Sequence, residues 1–236
     1  MPVASQWAAT GLISQSPSPI APSRNSDRPL PQVKCRMLID FEESQLVLVD
    51  YQEKLMPAIF DGAQVLKNAT LLAKVAQQLQ VPVFGTEQNP SKLGPNAAEL
   101  RGLCNKTLAK MFFSAVPEGL NEWLRPPAKP QGGNARSLPK HLQKPQQAAP
   151  ERNSIIIAGC EAHVCLLQTA LELLEDEFDV CVVTDACSSR TERNRDAAFD
   201  RLAGAGAELV TTEMVIFEWL RSCEHEDFRD ILQMIK

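Results

Sequence analysis

The chain has 236 residues, with 24 Lys and Arg against 29 Asp and Glu and 44% hydrophobic residues. That is the composition of an ordinary globular domain with room for a substantial core. No apolar run approaches the length of a bilayer span, and the seven cysteines, an odd number with no C-x-x-C pair, read as reduced thiols of an intracellular compartment.

Charge is uneven along the chain. Residues 1–36 carry Arg24, Arg28, Lys34 and Arg36 against Asp27, and residues 126–150 carry Lys129, Arg136, Lys140 and Lys144 with no acid. The rest is therefore strongly acidic, which argues against a nucleic-acid-binding domain. The first segment is rich in Ser, Pro and Ala without a sustained period and reads as a disordered tail. Its basic balance faintly resembles a transit peptide but lacks the Arg-rich amphipathic pattern. A cytoplasmic location is expected, with a mitochondrial one as the alternative should the tail be a targeting segment. Residues 126–150 hold six prolines and two glycines, the mark of a disordered insert.

Between these segments strands and helices alternate. Leu46-Val47-Leu48-Val49-Asp50 is a continuous apolar run ending in an acid, the pattern of a buried parallel strand. Apolar residues at Val65, Leu66, Leu72, Val75, Ala76 and Leu79 predict a helix. Val81–Phe84 is the next strand, Thr86–Pro95 a loop, Asn96–Leu103 a short helix and Asn105–Lys110 an extended segment. Pro117–Leu124 reads as a helix with Pro117 in its first turn. Ser154–Ala158 is a strand that stops at Gly159, and from Val164 to Leu174 the period becomes helical. Val180–Thr184 and Ala207–Thr211 are strands around a helix at Glu192–Ala203. Helices at Glu213–Arg221 and Asp227–Ile235 close the chain. This alternation predicts a parallel sheet covered on both faces.

Ligands of such sheets bind beyond the carboxyl ends of the strands, where the strand order reverses. Asp50, Lys110 and Cys165 each follow a strand and can share that edge. Cys165 lies near a predicted helix start, where free N–H groups and the helix dipole favour a thiolate. Asp50 can take its proton, Lys110 can hold the carboxylate in place, and the thiolate can attack a carbonyl carbon. Each residue has a structural alternative: a buried apolar cysteine, a turn-capping aspartate, a surface lysine. Cys160, His163 and Cys165 do not match a common zinc spacing, and His163 reads as a packed or hydrogen-bonded histidine. Cys35, Cys104, Cys181, Cys187 and Cys223 read as structural.

Several motifs, taken in order, resemble the isochorismatase-like cysteine hydrolases, most closely the clade of isochorismatase domain-containing proteins. They are Leu48-Val49-Asp50-Tyr51-Gln52, Thr86-Glu87-Gln88, Leu93-Gly94-Pro95, Lys110–Ser114, Gly159–Cys165, Gln168-Thr169-Ala170, Asp185–Arg190 and Thr211-Thr212-Glu213. The resemblance runs from about Leu46 to Lys236. It implies a three-layer αβα sandwich with a mostly parallel, about six-stranded, doubly wound sheet. It also implies an Asp50–Lys110–Cys165 catalytic triad, with a cis peptide at Cys160–Glu161. The backbone N–H groups of Glu161 and Cys165 would then form an oxyanion hole. Nicotinamidases of the family bind a metal through an Asp and two His after the second strand region; this chain has Glu87, Gln88 and Asn89 there, so neither a metal nor an organic cofactor is expected. Gln52, Glu87 and Gln88 are candidates for substrate contact. The expected function is hydrolysis of a small amide-like substrate by a homo-oligomer, without nucleic-acid or membrane partners. The alternative is a non-catalytic binding protein acting through its basic tail and insert.

Overall fold

A computed structural model describes residues 38–126 and 152–236, all within the compact unit Cys35–Lys236. The predicted disordered tail and insert, but for Pro126 at the insert's edge, lie outside the described residues.

Six strands form one sheet: β1 (Ser44–Val49), β2 (Val83–Gln88), β3 (Lys106–Lys110), β4 (Ser154–Gly159), β5 (Asp179–Val183) and β6 (Glu208–Val210). Their order is β3-β2-β1-β4-β5-β6, and every pairing is parallel. The chain winds outward from β1 to β3, returns to the other side of β1 with β4, and winds outward again to β6. The direction reverses between β1 and β4, so the crevice beyond their carboxyl ends is the place where this architecture binds ligands. The two central strands are buried along almost their whole length, as their unbroken runs of β-branched and apolar residues require in a sheet covered on both sides.

Eight α-helices accompany the sheet among the described residues: α1 (Gly62–Gln78), α2 (Pro90–Leu93), α3 (Ala98–Arg101), α4 (Leu120–Leu124), α5 (Leu167–Glu175), α6 (Glu192–Gly204), α7 (Thr212–Leu220) and α8 (Phe228–Ile235). Helix α1 buries Val65, Ala69, Leu72, Ala73, Val75 and Ala76 and packs with α7 and α8, while α5 packs with α6. Trp219 of α7 is wholly buried and donates from Nε1 to Ser44 Oγ at 3.0 Å, which ties that helix to the start of β1. The N-termini of α6 and α7 are capped by Thr191 and Thr211, whose hydroxyl oxygens accept from the N–H groups of Asn194 and Met214. None of these helices is long and apolar enough to cross a membrane.

The main elements match the predicted set, with local differences, among them the short helix α2 at Pro90–Leu93 inside the predicted loop Thr86–Pro95. Strand β2 continues through Thr86–Gln88, which read as a loop, because β3 supplies parallel partners for each of those residues. The predicted Pro117–Leu124 helix breaks at Gly119, whose φ of +98° suits glycine. The chain also forms a π-helical turn at Ala162–Leu166 before α5 begins at Leu167.

Candidate active site

Strand ends bring the three predicted residues to one rim. Asp50 follows β1 in a left-handed conformation, φ +54°, which aspartate tolerates better than most residues. Its Oδ1 accepts from Thr86 Oγ1 at 2.7 Å and its Oδ2 accepts from Lys110 Nζ at 2.8 Å. Lys110 ends β3 and reaches past β2 to make this bond, with both side chains fully buried. Its ammonium also donates to Gln88 Oε1 at 2.8 Å and to the Phe113 carbonyl at 2.9 Å. A buried ammonium persists here because oxygens satisfy its donors and a carboxylate balances its charge.

Cys165 sits in the π-helical turn and is 6% exposed. Its Sγ lies 3.9 Å from Gln88 Oε1, and it also interacts with the Asp50 and Lys110 side chains. Burial pushes the thiol up to about 12; the Asp50 charge adds to that rise and Lys110 opposes it. This corrects the expectation that a helix start would stabilise the thiolate. The α-helix begins two residues later, and loss of water outweighs the nearby ammonium.

The Cys160–Glu161 peptide is cis, as the resemblance implies. In the turn that follows, Ala162 N–H donates to the Ser188 carbonyl, while the N–H groups of Val164 and Leu166 donate to the Glu161 carbonyl. None of these bonds uses the N–H of Glu161 or Cys165. The Glu161 carboxylate accepts from Arg190 Nε at 2.8 Å, and His163 Nδ1 lies 2.9 Å from Ser189 Oγ. His163 is thus the hydrogen-bonded histidine that its sequence context predicts.

Of the three predicted substrate contacts, Gln88 stands beside the sulfur. Gln52 is completely buried: its Nε2 donates to the carbonyls of Gln88 and Gly94, and its Oε1 accepts from Gln88 N–H. Glu87 accepts from Asn96 N–H at 2.8 Å and so holds the following loop. Gln52 and Glu87 therefore brace the rim, and the buried Gln52 amide is bonded at both its polar atoms. Sequence reasoning named Thr86 only within a family motif, without a role at the site, and missed the Phe113 carbonyl. A threonine within an apolar strand, one position beyond Gly85, is a weak signal for the first, and a main-chain carbonyl carries none.

A human relative, isochorismatase domain-containing protein 2, is 36% identical over 193 residues, covering 82% of this chain and 83% of that protein. This chain belongs to the isochorismatase family. The profile of the isochorismatase domain matches its residues 138–214. Among solved structures, this isochorismatase-family chain is similar to the MAR1 ribonuclease of Caenorhabditis elegans at 29% identity and a TM-score of 0.71, over 84% of this chain and 92% of the other. It is also similar to YcaC of Pseudomonas aeruginosa, solved with hexane-2,5-diol and covalent acrylamide, at 25% identity and a TM-score of 0.68, over 84% and 91%.

Among the described residues of this family member, no three His, Cys, Asp or Glu side chains group as a metal site. A recess of about 570 Å³ opens against α1, lined among others by Lys67, Asn68, Asp185, Thr212 and Met234. None of Asp50, Lys110 and Cys165 lines it. It is a surface groove between helices, whereas Asp50, Lys110 and Cys165 lie beyond the carboxyl ends of β1, β3 and β4.

Proposed function

We propose that this protein is a cysteine hydrolase that cleaves a small amide-like or related carbonyl substrate through a thioester intermediate. The observation that carries this reading is the convergence of the Cys165 thiol with the buried Asp50–Lys110 pair. Family membership points the same way.

Asp50 is the base. It takes the thiol proton as sulfur approaches the carbonyl carbon, so the thiolate exists only alongside its target. A C–S bond forms, and the carbonyl electron pair moves to oxygen. In this reading the Glu161 and Cys165 N–H groups donate to that oxygen and offset its charge. Asp50 returns the proton to the leaving nitrogen as the C–N bond breaks. Water, deprotonated by Asp50, then attacks the thioester, releasing the acid and restoring the thiol. Lys110 stays charged throughout and keeps the carboxylate oriented.

The protein acts as a homo-oligomer in this reading. Met111, Phe112 and Phe113 are 65%, 64% and 52% exposed next to Lys110, three consecutive large apolar side chains of the kind that mark an association surface.

The test is turnover of a panel of small amides by wild type and Cys165→Ala. Hydrolysis by the wild type alone is expected. Equal turnover by both proteins would remove Cys165 from the reaction.

A further inference from the structure

The Lys110 ammonium has three N–H groups and three close oxygen acceptors, Asp50 Oδ2 at 2.8 Å, Gln88 Oε1 at 2.8 Å and the Phe113 carbonyl at 2.9 Å, with the Phe112 carbonyl farther off at 3.5 Å. Asp50 is pinned by Thr86, and the Phe113 carbonyl is main chain. The remaining acceptor is a side-chain amide, and the structure goes to some length to hold it. Gln88 Nε2 donates to the Met111 carbonyl at 2.9 Å, so a flipped amide would set donor against donor at Lys110 and oxygen against oxygen at Met111. The Gln88 backbone is clamped on both its polar atoms by the buried Gln52 amide, at 2.9 and 3.0 Å. The same Gln88 Oε1 faces the Cys165 sulfur at 3.9 Å.

We propose that Gln88 is a positioning residue that sets the ionisation of Cys165. Its carboxamide oxygen occupies the Lys110 N–H that would otherwise turn to the sulfur, and so weakens the ammonium's pull on the thiol. The other charged groups nearby are committed elsewhere. Glu161 and His163, on the sulfur's own turn, are held by Arg190 and Ser189. Glu87 of β2 bonds Asn96 N–H, and Glu118 bonds the N–H groups of Met111 and Phe112. Asp50 and Lys110 are left to act on the thiol in opposite senses, and Gln88 controls how much of the Lys110 share reaches it. This rests on the reading of Cys165 as the nucleophile, but its test reads ionisation rather than turnover.

The test is the pH dependence of iodoacetamide alkylation in the full-length chain, resolved to Cys165 by peptide mass mapping. Gln88→Met leaves the N–H to the sulfur and is expected to move the alkylation midpoint to lower pH. At a pH below the midpoint, alkylation quickens about threefold for every tenfold gain in thiolate, because the more acidic thiolate is the weaker nucleophile. Gln88→Glu adds a negative charge and is expected to move the midpoint upward. Gln88→Asn, whose shorter chain withdraws the oxygen, lowers the midpoint as well and serves if Gln88→Met folds poorly. Midpoints that do not move, or that move in the same direction for the removal and charge variants, overturn the proposal and leave the hydrolase reading standing. Full amidase turnover by Cys165→Ala would remove the hydrolase reading alone.

Discussion

Lys110, at the end of β3, reaches Asp50, beyond the end of β1, and the two meet at 2.8 Å with neither side chain exposed to water. Strand β2 lies between them in the sheet. The pair therefore joins three strands at the rim where sulfur arrives, and it is both a structural tie and part of the proposed chemistry. Removing one member strands a charge in the interior. Lys110→Met is expected to cost about 3–5 kcal/mol in a denaturant titration. Asp50→Asn combined with Lys110→Met should recover a large part of that loss, because no net buried charge remains. A double variant as unstable as the sum of its single variants would show that the two charges are not coupled.

Gly159 closes β4 against β1. A Cβ at this position would lie 2.4 Å from the Val49 carbonyl oxygen and 2.5 Å from Val49 Cβ. Main chain cannot yield as a flexible side chain can, so Gly159→Ala is expected to cost about 3 kcal/mol, the upper end of ordinary overpacking. It should also depress Cys165 alkylation, since the residues that follow form the turn that carries Cys165. A urea midpoint within error of wild type would mean that β1 and β4 can separate freely here.

Alkaline pH should unfold the protein through its buried thiols. Burial, the main cause, pushes Cys187 up to about 12; Asp185 adds to it, and the bond to the Gly159 backbone opposes it. Below the usual thiol range both folded and unfolded chains keep this proton, and the stabilisation is complete. As pH rises from that range towards about 12, the unfolded chain releases the proton while the folded chain retains it, so stability falls. The slope is at most about 1.4 kcal/mol per pH unit for each such thiol, and Cys165 contributes with the same sign. Cys187→Ala is expected to flatten the decline in urea midpoint measured between about pH 8 and pH 11; an unchanged slope would show that Cys187 does not contribute.

The exposed Met111–Phe113 run gives a prediction about assembly. Light scattering should find wild type larger than a monomer, and Phe112→Glu with Phe113→Glu should reduce its mass. Monomeric wild type would leave those rings for another partner.

The fold was legible because its strands are nearly pure apolar runs: Ile155-Ile156-Ile157 and Leu46–Val49 could scarcely be anything but buried parallel strands. Thr86–Gln88 were not legible as strand, because their structure comes from pairing with β3 across the sheet rather than from local preference. The same limit applied at the site. Asp50, Lys110 and Cys165 stood out as chemical residue types at strand ends. Their environment did not: that Gln88 and a backbone carbonyl would take up the ammonium, and that the turn before α5 would be π-helical, depend on contacts between distant segments. For that reason sequence reasoning expected a thiol made more acidic, where burial makes it less so.

The central claim, that Cys165 attacks a carbonyl at this rim, is tested most directly by the crystal structure of the protein soaked with a small aldehyde. Continuous density from Cys165 Sγ to the aldehyde carbon is expected, with the new oxygen within hydrogen-bonding distance of the Glu161 and Cys165 N–H groups and the Asp50–Lys110 bond intact. Aldehyde bound without a link to sulfur, or an adduct whose oxygen turns away from both amides, would contradict it.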